Sequence, residues 1–186
     1  NYTDHEFELI EAQAGGMIWK EYGENLPEKS FNTMKSSDAI LFGAIGLPDL
    51  PPGVAESAIL KIRQGLDLYV NLRPIKLYDS LRDRCPLKEE FIQNGIDIII
   101  VRENTEGLYA NIGGFLRDDI ALNSMIYSRK GCARVIEYAY KLAKRLGHSK
   151  ITSVDKANLL KPSQLWRKIF EEIGEKFSEL EKESIY

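Results

Sequence analysis

An α/β fold is predicted by three features of the sequence. Short runs rich in β-branched and apolar residues alternate with longer runs whose apolar residues recur every three or four positions. Glycine or proline separates many of these runs, and several of the short ones end in polar, charged loops.

Residues 7–13 partly alternate apolar and polar and stop at Gly15-Gly16, which predicts a strand, a turn and then a short helix. Asp38 precedes a four-residue apolar run, 39–42, read as a buried strand that ends in the loop 43–48. The Gly43-x-x-Gly46 pair in that loop is better explained as a tight turn than as a phosphate cradle. Val54, Ala58, Ile59 and Ile62 predict a helix over 54–64, terminated by Gly65. In 66–73, Leu66, Leu68, Val70 and Leu72 share one face of a predicted strand, and Pro74 moves its end away from a central ladder position. The run 95–101 is nearly all β-branched, which predicts a strand buried on both faces and ending at Arg102.

Ser128 suits the cap of a long helix in which Cys132, Val135, Ile136, Ala139, Leu142, Ala143 and Leu146 form a stripe before Gly147. A short strand over 151–154 then enters the loop 155–158, and 162–173 predicts an amphipathic helix stopped by Gly174. The charged tail, 175–183, reads as a solvated helical face.

With 186 residues, 44% hydrophobic and 28% charged, the chain can bury a real core as one domain or two small ones. A net charge of −3 gives no general attraction to nucleic acid or anionic membranes, so neither is expected as a partner. No apolar run approaches the roughly 18 residues of a membrane span. Cys85 and Cys132 are too few and too far apart for a disulfide framework or zinc site, and a cytoplasmic location is the default. The start resembles neither a signal peptide nor an initiating methionine, so the chain is expected to begin inside a longer protein.

Ligands of α/β proteins gather where strand carboxyl ends open into loops. Here Arg73, Arg102 and Lys156 stand at such ends, and Arg63 lies on the helix before the first. A single surface arginine is usually solvated or ion-paired, but several at strand ends form a planar-fork clamp suited to a substrate with two or more carboxylates. Tyr109 follows Arg102, and Gly107 lets the chain turn so that the phenol faces the same side; the plainer reading is one packing tyrosine among nine. Lys156 is either a proton acceptor or a snorkelling surface lysine. His5 and His148 sit in polar surroundings and receive no catalytic role. No Gly-x-Ser-x-Gly, His-x-x-x-His or P-loop pattern supports a hydrolase or NTPase.

Three segments, Ile62-Arg-Gln-Gly-Leu-Asp-Leu-Tyr-Val-Asn-Leu-Arg-Pro74, Val101-Arg-Glu-Asn-Thr-Glu-Gly-Leu-Tyr109 and Val154-Asp-Lys-Ala-Asn158, together resemble the β-decarboxylating dehydrogenases that act on isopropylmalate, isocitrate and tartrate. The resemblance implies that family's two-domain α/β fold, not a standard Rossmann fold, with residues 1–68 in the first, cofactor-side domain and 69–186 in a second, substrate-binding and dimer-forming one. It implies that Arg63, Arg73 and Arg102 hold the carboxylates of a malate-type acid, that Tyr109 and Lys156 are the acid–base pair, and that Asn158 lies near substrate and nicotinamide. It also implies NAD or NADP, Mg2+ or Mn2+, and a homodimer in which the lysine acts across the subunit interface. Residues 111–128, rich in glycine and charge, would supply the arm that reaches the partner, or else form an ordinary long loop.

In such enzymes the helix before Arg63 selects the substituent on the substrate's third carbon. Here Glu56, Ser57, Ile59 and Leu60 occupy it, with Glu56 also placed towards the cofactor. Ile59 and Leu60 favour an alkyl branch, because an extra carboxylate against them would be buried unpaired. Ser57 matches a serine that isocitrate enzymes use for that carboxylate. A 3-alkylmalate such as 3-isopropylmalate therefore ranks first, tartrate or D-malate second and isocitrate third. The family's opening Gly-Asp-Gly-Ile-Gly-type segment does not occur, and its metal-binding aspartates are expected beyond Tyr186. The chain is thus read as an internal fragment of the enzyme that alone lacks metal and cofactor affinity. A non-catalytic regulatory subunit of an isocitrate-type enzyme is the alternative from another class.

Overall fold

Gly15 sets the first turn among the described residues, 5–186, in a computed structural model of the chain. Its φ of 91° lies in the left-handed region, and a Cβ there would collide with the Ile45 side chain. Its N–H donates to Asn25 O (2.7 Å), and α1 (Gly16–Tyr22) starts at the next residue. α2 (Glu28–Ser36) follows Pro27, a proline-then-acid start that the sequence reading had passed over. α3 (Val54–Gly65) is the helix predicted over 54–64. Its buried Ala58 and Ile62 pack with Leu26 and Met34; each large aliphatic side chain so buried stabilises by about 1.5–3 kcal/mol. These elements belong to the first of two units, Asn1–Leu68.

Two predicted strands of this unit do not form. Residues 7–13 and 39–42 join no ladder among the described residues, and Leu9 and Leu41 stay 85% and 96% exposed. A strand exists by pairing with a neighbour, and local alternation supplies none. The tight turn expected at Gly43 to Gly46 does not form either: the chain turns at Pro48-Asp49, where Leu50 N–H donates to Leu47 O at 3.4 Å, and Ile45 O is instead used to accept Gly16 N–H at 2.8 Å.

The second unit, Tyr69–Tyr186, opens with β1 (Val70–Lys76), which pairs antiparallel with β2 (Asp97–Glu103). A 3-10 turn, Asp79–Arg84, and the short α4 (Glu89–Ile92) connect them. β1 begins later than the predicted 66–73 because Leu66 caps α3 and Asp67 takes a positive φ of 50°. It also runs through Pro74, which stands opposite Ile99; in this two-stranded sheet β1 is an edge, where a missing donor is tolerated. β2 is not buried on both faces as 95–101 predicted. α5 (Arg129–Leu146) packs on it, yet Ile98 and Ile100 remain 54% and 43% exposed, since no second layer of its own unit covers the alternate face.

β3 (Gly107–Leu116) and β4 (Ile120–Ile126) form an antiparallel hairpin. The region 111–128 is therefore paired strand through most of its length and not an ordinary loop. α5 follows as predicted, with Ser128 Oγ accepting Gly131 N–H (2.9 Å) and Gly147 closing the helix at a φ of 73°. β5 (Lys150–Val154), α6 (Lys161–Gly174) and β6 (Glu181–Ile185) make a parallel β-α-β unit. The tail predicted as helical thus ends as a strand. Leu180 is buried and Phe177 stacks on Tyr140 at 5.0 Å, so packing overrides the helix-like charge pattern. Cys132, Ile136 and Tyr140 of α5, with Ile169 and Phe170 of α6, form the core of this unit. Among the described residues no helix is long and apolar enough to cross a membrane.

Candidate functional site

Helical spacing puts Glu56, Ile59, Leu60 and Arg63 along one stripe of α3, while Ala58 and Ile62 turn to the core. Ile59, Leu60 and Arg63 are half-buried and Glu56 is exposed. Ser57 points elsewhere. Its hydroxyl donates to Val54 O (3.0 Å) and receives an Asn25 amide N–H, and Asn25 Nδ2 also donates to Val54 O (2.7 Å). Lys61 Nζ completes the group by donating to Asn25 Oδ1 (3.1 Å). Asn25 is buried, so the Ser57 hydroxyl is committed inside its own unit.

In the second unit the β1–β2 register sets Asn71 opposite Arg102 and Arg73 opposite Ile100, so both arginines project from one face. Arg73 Nε donates to Asn71 Oδ1 (3.0 Å), and Asn71 Nδ2 to Asn104 Oδ1 (3.4 Å), leaving Arg73 exposed on a polar ladder. The Arg102 guanidinium lies over the Tyr109 ring, 5.1 Å from its centroid. Arg102 Nε is buried and has no hydrogen-bond partner among the described residues, an unsatisfied donor beside the Tyr109 ring.

A cavity of about 850 Å³ opens in this unit and is lined by Arg102, Tyr109 and Lys156 together. Its walls are largely apolar, from β2, α5 and β5. Of the residues singled out in this unit by sequence, the cavity thus gathers three. Arg73 and Asn158 are exposed and outside its lining, and Arg63 belongs to the first unit.

The sequence reading missed the polar frame behind these three. Glu103 is buried, and its carboxylate accepts Thr105 N–H and Oγ1–H (both 2.9 Å) and Glu106 N–H (2.8 Å), closing the turn between β2 and β3. Thr105 Oγ1 also accepts from Arg134 of α5 (2.9 Å). Tyr127 lines the cavity, and burial, then the Glu103 charge, push its phenol up. The acid-rich Glu-Asn-Thr-Glu-Gly turn was the signal, since a carboxylate two or three residues before free N–H groups is a cap. Among the described residues no group of three His, Cys, Asp or Glu could hold a metal ion, so these side chains do not fit a metal centre on their own.

The isocitrate/isopropylmalate dehydrogenase family matches residues 1–186. The chain is similar to 3-isopropylmalate dehydrogenase of Clostridium acetobutylicum, at 40% identity over 98% of this chain and 53% of that protein. It is also similar to 3-isopropylmalate dehydrogenase of Aquifex aeolicus, at 41% identity over 97% and 51%. Among solved structures, isocitrate dehydrogenase from Methylococcus capsulatus superposes with a TM-score of 0.81 at 30% identity, over 92% of this chain and 49% of that one. A β-decarboxylating dehydrogenase from Thermococcus kodakarensis gives 0.66 at 33%, over 94% and 47%. The chain spans about half the length of the curated relatives it matches. With the match running from end to end, the chain belongs to the isocitrate/isopropylmalate dehydrogenase family.

Proposed function

We propose that this chain supplies the carboxylate clamp and the acid–base pair of a decarboxylating dehydrogenase that oxidises a malate-type 2-hydroxy acid, a 3-alkylmalate such as 3-isopropylmalate first. The observation that carries the reading is the Arg102 cation seated over the Tyr109 ring on the wall of the cavity, which joins the clamp to the acid within one chain. Arg102, Arg73 and Arg63 would hold carboxylates, and planar guanidinium forks are suited to that. Asn158 would lie near the substrate and, with Glu56, near the nicotinamide.

Lys156 Nζ would take the proton of the substrate's 2-hydroxyl as the C2 hydrogen leaves as hydride. An oxidised nicotinamide, NAD or NADP, supplies the hydride acceptor when bound. Loss of carbon dioxide from the resulting β-keto acid leaves an enolate, and the Tyr109 phenol would protonate its third carbon. The Mg2+ or Mn2+ of the family requires ligands beyond the described residues, and no step above is routed through it. The substrate choice rests on α3, whose outward stripe offers Ile59 and Leu60 while the Ser57 hydroxyl is already bonded to Asn25 and Val54. A third carboxylate would find no free serine donor there. A homodimer joined by the β3–β4 hairpin would complete the assembly, since the hairpin leaves Phe115 81% and Leu122 65% exposed.

The test is turnover of the full-length protein with Mn2+ or Mg2+ and either nicotinamide on 3-isopropylmalate, D-malate, tartrate and isocitrate. Metal-dependent reduction fastest with 3-isopropylmalate supports the reading. Preference for isocitrate overturns the substrate assignment, and no turnover on any acid returns the chain to a non-catalytic subunit.

A further inference from the structure

Lys156 sits in a short loop whose backbone is held from several sides. Leu159 and Leu160 N–H both donate to Lys156 O (3.1 and 2.9 Å), and Gln164 of α6 donates to Ala157 O (3.0 Å). The remaining hold comes from Asp155, whose side chain is 3% exposed. Its Oδ1 accepts Ala157 N–H (2.8 Å), a turn that brackets Lys156. Arg167 of α6 meets the same carboxylate with its fork, Nε to Oδ2 at 2.9 Å and Nη2 to Oδ1 at 2.8 Å. Arg167 is anchored in turn by Ile185 O (3.4 Å) and by the Tyr186 ring, 4.5 Å from its guanidinium carbon.

Two features suggest a role beyond stability. A buried carboxylate one residue from Lys156 would draw the ammonium into an ion pair unless another cation neutralised it. Arg167 does so from outside the cavity, which Asp155 and Lys156 both line. The pair therefore fixes the lysine's backbone while leaving its amine uncommitted by Asp155. A flexible four-carbon stem gains most from a fixed root, because a displacement of about 1 Å at a reacting group can cost about 100-fold in rate.

We propose that Asp155 and Arg167 are positioning residues for Lys156, holding the loop from which its amine reaches the reacting hydroxyl. This rests on Lys156 being the proton acceptor.

The test uses the full-length protein and two readouts. Amide exchange over residues 155–160 should be about tenfold faster in Asp155→Asn than in the parent, with exchange in the α5 core unchanged. In steady-state kinetics Asp155→Asn should lower kcat about 10- to 100-fold, with KM for the hydroxy acid within about threefold. In a Lys156→Ala background the same substitution should change the residual rate less than about twofold, because its effect passes through the lysine. If Asp155→Asn does not fold, Arg167→Lys, which keeps the charge and loses the fork, replaces it in the same cycle. Equal losses in both backgrounds, or unaltered exchange in the loop, overturn the proposal. A Lys156→Ala enzyme with the parent's kcat overturns the role of Lys156 itself, a distinct failure read from the single variant.

Discussion

Ser128 Oγ donates to Glu106 Oε1 at 2.6 Å while accepting Gly131 N–H at 2.9 Å. One hydroxyl thus caps α5 and ties that cap to the turn from which the Tyr109 strand departs. Glu106 Oε2 also accepts Ser128 N–H at 2.8 Å, so the carboxylate is held twice at the base of the hairpin.

Replacing Ser128 with alanine should lower stability by about 1–2 kcal/mol, the usual cost of a lost cap. Aspartate ordinarily caps a helix as well as serine does, but in place of Ser128 it would face the Glu106 carboxylate. Ser128→Asp should therefore be no more stable than Ser128→Ala in chemical denaturation. An aspartate variant as stable as the parent would show that Glu106 does not constrain the cap.

The core of the second unit makes stability fall in alkali. Burial, then the Glu106 and Glu103 charges, push the Cys132 thiol up to about 11, and burial raises Tyr140 as well. Below about pH 8 the folded and unfolded thiol both keep the proton, and its contribution is constant. As pH rises towards 11 only the unfolded chain releases it, so the folded state loses stability by up to about 1.4 kcal/mol per pH unit for this one group. Denaturation midpoints between pH 8 and 11 should fall less steeply in Cys132→Ala than in the parent. Parallel slopes would remove Cys132 as a cause.

The longer helices α3, α5 and α6 were legible because their signals are local, whereas the shorter α2 was passed over. Ser128, the apolar stripe of α5 and Gly147 together mark a helix from the sequence alone, and all three keep those roles. Strands were less legible, because pairing depends on segments distant in sequence. The run 39–42 is as apolar as a strand but has no ladder, whereas the charged 181–185 pairs with β5. At the site, Arg102, Tyr109 and Lys156 were visible as charged or phenolic groups near strand ends, and the cavity unites them. Their supports were not, since Asp155 gains meaning only when α6 brings Arg167, twelve residues later, onto it.

The stripe on α3 makes substrate choice testable without touching the acid–base pair. Ile59→Ala should lower kcat/KM for 3-isopropylmalate by about 10- to 100-fold, the value of a lost branched-alkyl contact, and for D-malate, which lacks the branch, by much less. Ser57→Ala should leave both within about threefold and cost about 1 kcal/mol of stability through Asn25. An Ile59→Ala enzyme equally impaired on both acids would mean that the residue supports the fold and not the branch.

Whether Lys156 serves its own chain's Tyr109 or a partner's can be decided by mixing two inactive enzymes. One chain carries both residues on a single cavity, whereas the family resemblance implies a lysine that acts across the interface. In hybrids of Tyr109→Phe with Lys156→Ala, an interface lysine leaves one wild-type pair per hybrid dimer and one doubly altered pair. Random reassociation of equal amounts makes half the dimers hybrid, so about a quarter of the parent's activity should return under the two-fold exchange expected of a homodimer. If both residues work within one chain, every site in the mixture stays defective and no activity returns. We expect the recovery, measured after denaturation and refolding of the mixture, with each variant refolded alone as the baseline. Recovery would also require two subunits to associate, so the same measurement tests the proposed homodimer.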